Sequence, residues 1–389
     1  MLTYTITTKR LKLYLALPLA SLLLLIPLAR ANTNQTQALE LGFKVADYQL
    51  QQLDYLESSS PTPEPKSHSK SWEIGAFWLG LTQFTDLTQH KPYQQALIKQ
   101  GENNQWQLGP WLEFADDHII GQSYLWAAKN GVSKTTALSP MRKSFDKILA
   151  NPPNVHLSFY FGEQGYGSAE CLMRWCWCDA LFMAPQAFIG LSQATGDMRY
   201  ANYAFKEFWA TTDFLYDPAE KLYFRDSRFF EKRDHKQRKL FWSRGNGWVF
   251  GGIVNILKLL PQDHPQRPRL ETLYLEMAAR LIQLQKPDGY WPPSLLAPKN
   301  SPPETSGTAF FTYGLAYGIN TGLLDKKRYL PAVTQGWQAL TQAVNKNGEL
   351  GWVQQVSDRP ESVAKTDTHY YGVGAFLLAA TEVAQLNNK

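Results

Sequence analysis

The chain of 389 residues predicts an all-α protein, an (α/α)6 barrel of six inner and six outer helices. Three observations carry that prediction. Six segments of about four turns are apolar over most of their surface and rich in glycine and alanine, and a helix apolar all round is a buried one. They recur at a period of roughly 45–65 residues, the mark of a repeat architecture. Several are followed by a turn and an ordinary amphipathic helix, as expected for buried helices ringed by half-exposed return helices.

The elements follow in order. Residues 1–31 read as a secretory signal peptide: Lys9, Arg10 and Lys12 precede an apolar run, and Ala29-Arg30-Ala31 gives an A-x-A cleavage pattern. The run is short for a bilayer span of about 20 residues, which speaks against an uncleaved anchor. Residues 32–71 hold one amphipathic helix, "ALELGFKVADYQLQQLDYLE", and a Pro/Ser-rich loop over 58–71. The barrel occupies 72–389. Its inner helices fall at 74–88, 118–131, 179–197, 245–260, 306–322 and 371–386. The clearest outer helices follow the third and fifth, each after a Thr-Gly step and each opening near an Arg-Tyr pair. Strand signals are sparse; "KLYFRDSRFF" (221–230) predicts a short hairpin in a connection.

Composition excludes several classes. The leader carries four of the 39 basic residues and none of the 34 acidic ones, so the remainder is near neutral and has no basic run fit for nucleic acid. Nothing points to an obligate protein partner. Three cysteines make no disulfide framework. The 13 Trp, 19 Tyr and 20 Phe suit either sugar platforms or a large helical core.

In such a barrel all inner helices start at one end, and the unusual residues precede them: "FADDH" before the second, "WCWCD" before the third, "LFWSRGNGW" at the fourth, "PPETS" at the fifth and "TDTHYY" at the sixth. Five segments converge on one mouth. Helix N-termini present free N–H groups there, and Arg244 adds a planar fork suited to a carboxylate. The expected ligand is anionic and flat enough to stack on Trp177, Trp242 or Trp248. His118 and His369 are further mouth candidates, each with an ordinary structural role as its alternative.

Cys176-x-Cys178 has no second pair and no histidine cluster, so a metal site is not expected. Packing is its ordinary role, with Cys171 able to pair with one of the two in an oxidising compartment. Asp179 serves either as a helix N-cap or as a general acid whose pKa is raised by its aromatic surroundings. A second carboxylate comes from Asp116 or Asp117, and two carboxyls at one mouth are the usual equipment for glycosidic chemistry. Ser243-Arg244-Gly245-Asn246-Gly247 follows no strand and lacks a P-loop lysine, which excludes a nucleotide cradle.

"CDALFMAPQAFIGLSQATGD", "LFWSRGNGWVFGGIVNIL", "ETSGTAFFTYGLAYGINTGLLD" and "YYGVGAFLLAATEV" resemble the unsaturated rhamnogalacturonyl hydrolases of glycoside hydrolase family 105, whose plan the family 88 unsaturated glucuronyl hydrolases share. The resemblance runs from about residue 72 to the end. It implies an (α/α)6 barrel and hydrolysis of oligosaccharides bearing a 4,5-unsaturated uronic acid at the non-reducing end. Protonation at C4 and water addition at C5 give a hemiketal that opens, with no metal or other cofactor. By position, Asp179 matches the general acid/base aspartate, and Asp116 better than Asp117 matches its partner. Trp177 and Met183 match pocket-lining positions. Arg244, Asn246 and Trp248 fall in the R-G-N-G-W segment at the substrate mouth, and His369 where a substrate-side histidine is expected. His235 is the nearest candidate for a further family histidine. The substrate so implied is an anionic unsaturated oligosaccharide from a lyase-cut polysaccharide, pectic rhamnogalacturonan first and ulvan or arabinogalactan fragments second. The leader sends the enzyme to the periplasm or outside the cell. Two other classes remain as alternatives: a glycan-binding protein with a dead site, and an ordinary glycosidase on saturated sugars.

Overall fold

The computed structural model describes residue 2 and residues 25–59, 68–159, 170–297 and 299–386. The helices run in the order α1 (Leu25–Ser59), α2 (Trp72–Thr88), α3 (Lys91–Asn103), α4 (Gly121–Lys129), α5 (Lys134–Ala150), α6 (Ala180–Met183), α7 (Pro185–Thr195), α8 (Met198–Leu215), α9 (Ser243–Leu259), α10 (Arg267–Leu284), α11 (Thr305–Thr321), α12 (Lys326–Ala343) and α13 (Tyr370–Val383). Helices α2, α4, α6–α7, α9, α11 and α13 each pack on the next, and α13 returns to α2, so the inner ring is closed. Helices α3, α5, α8, α10 and α12 lie outside it, and α1 lies against α13 and buries Ala38, Val45 and Ala46. The expected mostly helical barrel is the observed fold.

The repeated Thr-Gly step has a physical basis. Gly196 and Gly322 end α7 and α11 at φ 76° and 77°, in the left-handed region that glycine enters without steric cost. Asp197 and Asp325 then cap α8 and α12 by accepting the backbone N–H groups of Arg199 and Arg328. Tyr200 and Tyr329 of the Arg-Tyr pairs turn inward and are buried.

The third inner helix is broken at Pro185. Proline has no N–H to return to the carbonyl of Leu181; the Gln186 side chain donates to that oxygen instead, at 3.0 Å. The break leaves α6 as a short separate piece directly after Asp179.

The hairpin is shorter and earlier than expected. Strand β1 (Tyr216–Asp217) pairs antiparallel with β2 (Leu222–Tyr223), and residues 224–230 turn away into a 3-10 segment. The Asp217 carboxylate accepts the N–H groups of Ala219 and Glu220 and so fixes the reversal before residue 221. The expected leader, 1–31, lies mostly outside the described residues. Among the described residues no helix is long and apolar enough to cross a membrane.

Candidate active site

The N-terminal ends of the inner helices gather the expected carboxylates. Asp116 lies on a 3-10 turn, Ala115–His118, ahead of α4, and Asp179 lies at the start of α6. Asp179 makes no capping hydrogen bond. Its Oδ2 instead faces the Cys178 thiol, which donates to it at 3.3 Å, and the Arg225 Nε at 3.6 Å. Arg225 is brought there by the loop after β2, whose carbonyl at 225 accepts the Cys178 N–H at 2.8 Å. Its Nη1 donates to buried Asp226, which also takes two bonds from the Arg228 side chain; Arg228 in turn reaches Asp358. An alternating chain of charges therefore runs from Asp179 to the 358 loop.

Burial raises the pKa of both carboxyls. Asp116 is pushed well above the ordinary carboxylate range by burial and by the charge of Asp179, with Arg225 opposing, and its Oδ1 has no hydrogen-bond partner. Asp179 is pushed up by burial and held back by Arg225, the Cys178 thiol and Arg244. Burial works against the charge on Arg225, but Asp179 and Asp226 outweigh it. Glu73, at the start of α2, adds its charge to the Asp116 environment.

Asp117 is elsewhere employed. Its carboxylate accepts the Trp111 N–H at 2.6 Å and its carbonyl the Gly109 N–H at 3.0 Å, so it pins the 109–111 loop. Burial lifts its pKa to about 6 against that bond. The carboxylate that feels the charge of Asp179 is therefore Asp116.

Several expected contacts fall inside the protein. His118 is buried, with its ring edge-on to Phe145 and Phe188 and Nε2 2.8 Å from the Leu112 carbonyl; burial lowers its pKa to about 4. It packs as a core histidine. Asn246 is fully used: Oδ1 accepts the Tyr223 N–H, and Nδ2 donates to the Tyr223 and Trp242 carbonyls. It ties β2 to α9. Arg244 has no accessible surface; its guanidinium bonds to the carbonyls of Gln354 and Gln355 and lies over Trp242 and Tyr371. The expected fork for a substrate carboxylate is thus occupied by backbone, and the charge acts on Asp179 through space. Trp177, Trp242, Trp248 and Met183 are buried as well. Trp177 stacks on Phe114, Trp242 donates to Gln354, and Trp248 packs on Phe182 and Phe310. None offers an open face. His235 stays on the exposed charged loop.

His369 is partly exposed at the start of α13 and stacks on Tyr371, as does half-buried Trp72. Trp72 and Glu73 begin the first inner helix, so an aromatic and an acid stand at that mouth as well. Arg225 belongs to "KLYFRDSRFF", whose pattern predicts a hairpin and gives no sign of a charged contact. At α11 the N-terminus is filled by its own Glu304, which accepts the N–H groups of Ser306 and Gly307. Cys171 and Cys176 form a disulfide, and Cys178 remains a buried free thiol. Among the described residues no cluster of three His, Cys, Asp or Glu side chains is placed to hold a metal ion.

Acid catalysis on a sugar asks for a carboxyl that keeps its proton near neutrality and a partner that modulates it. Burial raises both carboxyls here, the charge of Asp179 adds to the push on Asp116 and Arg225 opposes it; by class the molecule is a glycoside hydrolase. The model of "Glycosyl Hydrolase Family 88" matches residues 43–387, and the chain belongs to that family. The resemblance named family 105 first and family 88 beside it; the matching model is that of family 88. The chain is similar to an "Unsaturated 3S-rhamnoglycuronyl hydrolase" of Alteromonas sp. (strain LOR), 41% identical over 90% of this chain and 86% of the relative. One of the same name from Formosa agariphila is 35% identical over 89% and 92%. Among solved structures, "Glycosyl hydrolase family 88 from Bacteroides vulgatus" superposes with a TM-score of 0.77 at 27% identity, covering 90% of this chain and 99% of that one.

Proposed function

We propose that the enzyme removes a 4,5-unsaturated uronic acid from the non-reducing end of lyase-generated oligosaccharides, by acid-catalysed hydration of the vinyl ether. The observation that carries this is Asp179 3.6 Å from the Arg225 Nε, with Asp116 within the influence of both charges and both carboxyls raised. Asp179 delivers a proton to C4 and accepts one from the water that adds at C5. The hemiketal then opens and releases the remaining sugar. The arriving uronate brings another negative charge into the recess and draws on Arg225. Both effects raise the pKa of Asp179 further and protonate it when the acid is needed.

A second reading gives Asp116 the acid role. Its stronger upward push favours this, since it lacks the direct cation that Asp179 has. The two are separated by comparing Asp179→Asn with Asp116→Asn. Turnover is followed by loss of the ultraviolet absorbance of the conjugated enol ether. The first variant should lose about 10²–10⁴-fold in kcat with unchanged circular dichroism. Retained activity there, with loss only in Asp116→Asn, reverses the assignment.

The sugar bearing the unsaturated residue is proposed to be rhamnose. The relatives' names support this, and their prefix favours a rhamnose sulfated at O3, as in ulvan fragments, over the pectic disaccharide. Release of rhamnose 3-sulfate from a lyase digest, with no turnover of the pectic product, is the expected result. Export is also proposed. The leader supports it, and so does the Cys171–Cys176 bridge, a bond that persists in oxidising compartments. N-terminal sequencing of the mature protein should begin at Asn32.

A further inference from the structure

The loop that leads into the Asp116 turn holds an indole out to solvent. Trp111 is 60% exposed, while every other tryptophan of the chain is buried or half-buried. One exposed aromatic on a loose loop would be ordinary, but this loop is tied down at four points. The Trp111 N–H donates to the Asp117 carboxylate at 2.6 Å, the Gly109 N–H to the Asp117 carbonyl at 3.0 Å and the Phe114 N–H to the Trp111 carbonyl at 3.3 Å. His118 Nε2 donates to the Leu112 carbonyl at 2.8 Å. Gly109 allows the close approach, since a Cβ there would meet the Asp117 carboxyl. Asp117 and His118 belong to the same turn as Asp116. The backbone that carries the indole is therefore fixed relative to the site.

A series of rings connects it with Asp179. Trp111 lies against Phe114 with centroids 5.8 Å apart, and Phe114 stacks on Trp177 at 5.3 Å, two residues before Asp179. Exposure falls along the series, from open Trp111 through half-buried Phe114 to buried Trp177. The series thus runs outward from the aspartate to the rim of the mouth, in two steps each about the length of a pyranose. The unsaturated sugar takes the inner end, because its C4 must reach Asp179, and the sugars after it leave over the rim. An exposed indole on a fixed loop offers the C–H face of a pyranose a flat apolar partner, with little ordering left to be done on binding. We propose that Trp111 is the platform for the second sugar past the cleaved bond, and that it sets a preference for longer oligosaccharides. The assignment rests on the hydration reaction proposed for this site.

The test compares the unsaturated disaccharide and tetrasaccharide of lyase-digested ulvan as substrates of the full-length enzyme and of its Trp111→Ala, Trp111→Leu and Trp111→Phe variants. Trp111→Ala should raise the ratio of the tetrasaccharide KM to the disaccharide KM about tenfold, with kcat on the tetrasaccharide changed by less than about threefold, as expected when binding common to ground and transition states is removed. Trp111→Leu should do the same, and Trp111→Phe should restore most of the wild-type ratio. Damage to the fold would move both substrates together and would not respond to the aromatic ring. A ratio that stays put in Trp111→Ala, or that Leu restores as well as Phe, overturns the proposal and leaves the hydration reaction standing. A wild type that turns over neither substrate overturns the reaction, and the platform with it.

Discussion

The Cys178 thiol donates to Asp179 Oδ2 and so favours the ionised form of that carboxyl. Cys178→Ala should release this hold and move the alkaline limb of the rate–pH profile upward, with kcat at the plateau changed by less than about tenfold. An unmoved limb would make the cysteine mere packing. In the wild type the rate should decline as pH rises through the raised apparent pKa of the carboxyl pair. Stability follows the same sign. Below the ordinary carboxylate value near 3.9 both folded and unfolded chains hold these protons. Above it the unfolded chain ionises while the folded pair resists, so the pair costs stability as pH rises toward its folded pKa. Asp116→Asn does not titrate and should raise Tm at neutral pH by about a degree or more while lowering activity. Both aspartates were legible because an acid before a buried helix is unusual chemistry in an unusual place. Arg225 was not, because nothing local says that the chain after a two-residue strand folds back against residue 178.

Among the elements, the loop at 354–355 depends on α9. Arg244 holds both of its carbonyls, and the Tyr371 hydroxyl shares the one at 354. Arg244→Met keeps much of the volume but strips those bonds. It should lower stability by about 2–3 kcal/mol, read as a lower Tm, and raise KM through displacement of Tyr371 and His369. A direct substrate contact would instead raise KM with Tm unchanged. The R-G-N-G-W motif was recognisable in the sequence, yet its Arg and Asn face inward. Sequence shows that such residues occur together; it does not show which of their hydrogen-bonding groups the backbone has already taken. The Pro185 break is similar, since the proline is visible and its repair by Gln186 is a matter of three-dimensional reach.

At the scale of the whole molecule, closure rests on the contact between the first and last inner helices. A Cβ on Gly374 would meet the Ala76 carbonyl, and one on Gly80 the backbone of Gly374. These are backbone atoms and have no rotamer to yield. Gly374→Ala should cost about 3 kcal/mol or leave the protein insoluble, whereas Gly131→Ala, with open space around its Cβ position, should be limited to the strain of a φ of 108°. Thermal melts of the two variants side by side give the comparison.

The sequence by itself determined the helical barrel and pointed to one end of it, to Asp179 and to a second acid at 116 or 117. Each follows from local pattern: all-round apolar helices, Thr-Gly stops followed by Asp caps, and acids set before buried segments. Tertiary structure decided the rest. It separated Asp116 from Asp117 by what each carboxylate bonds, placed Arg225 against Asp179, and sent His118 and Asn246 into the interior. Those outcomes depend on which distant atoms come within hydrogen-bonding reach, and the order of residues along the chain does not encode that reach in any local form.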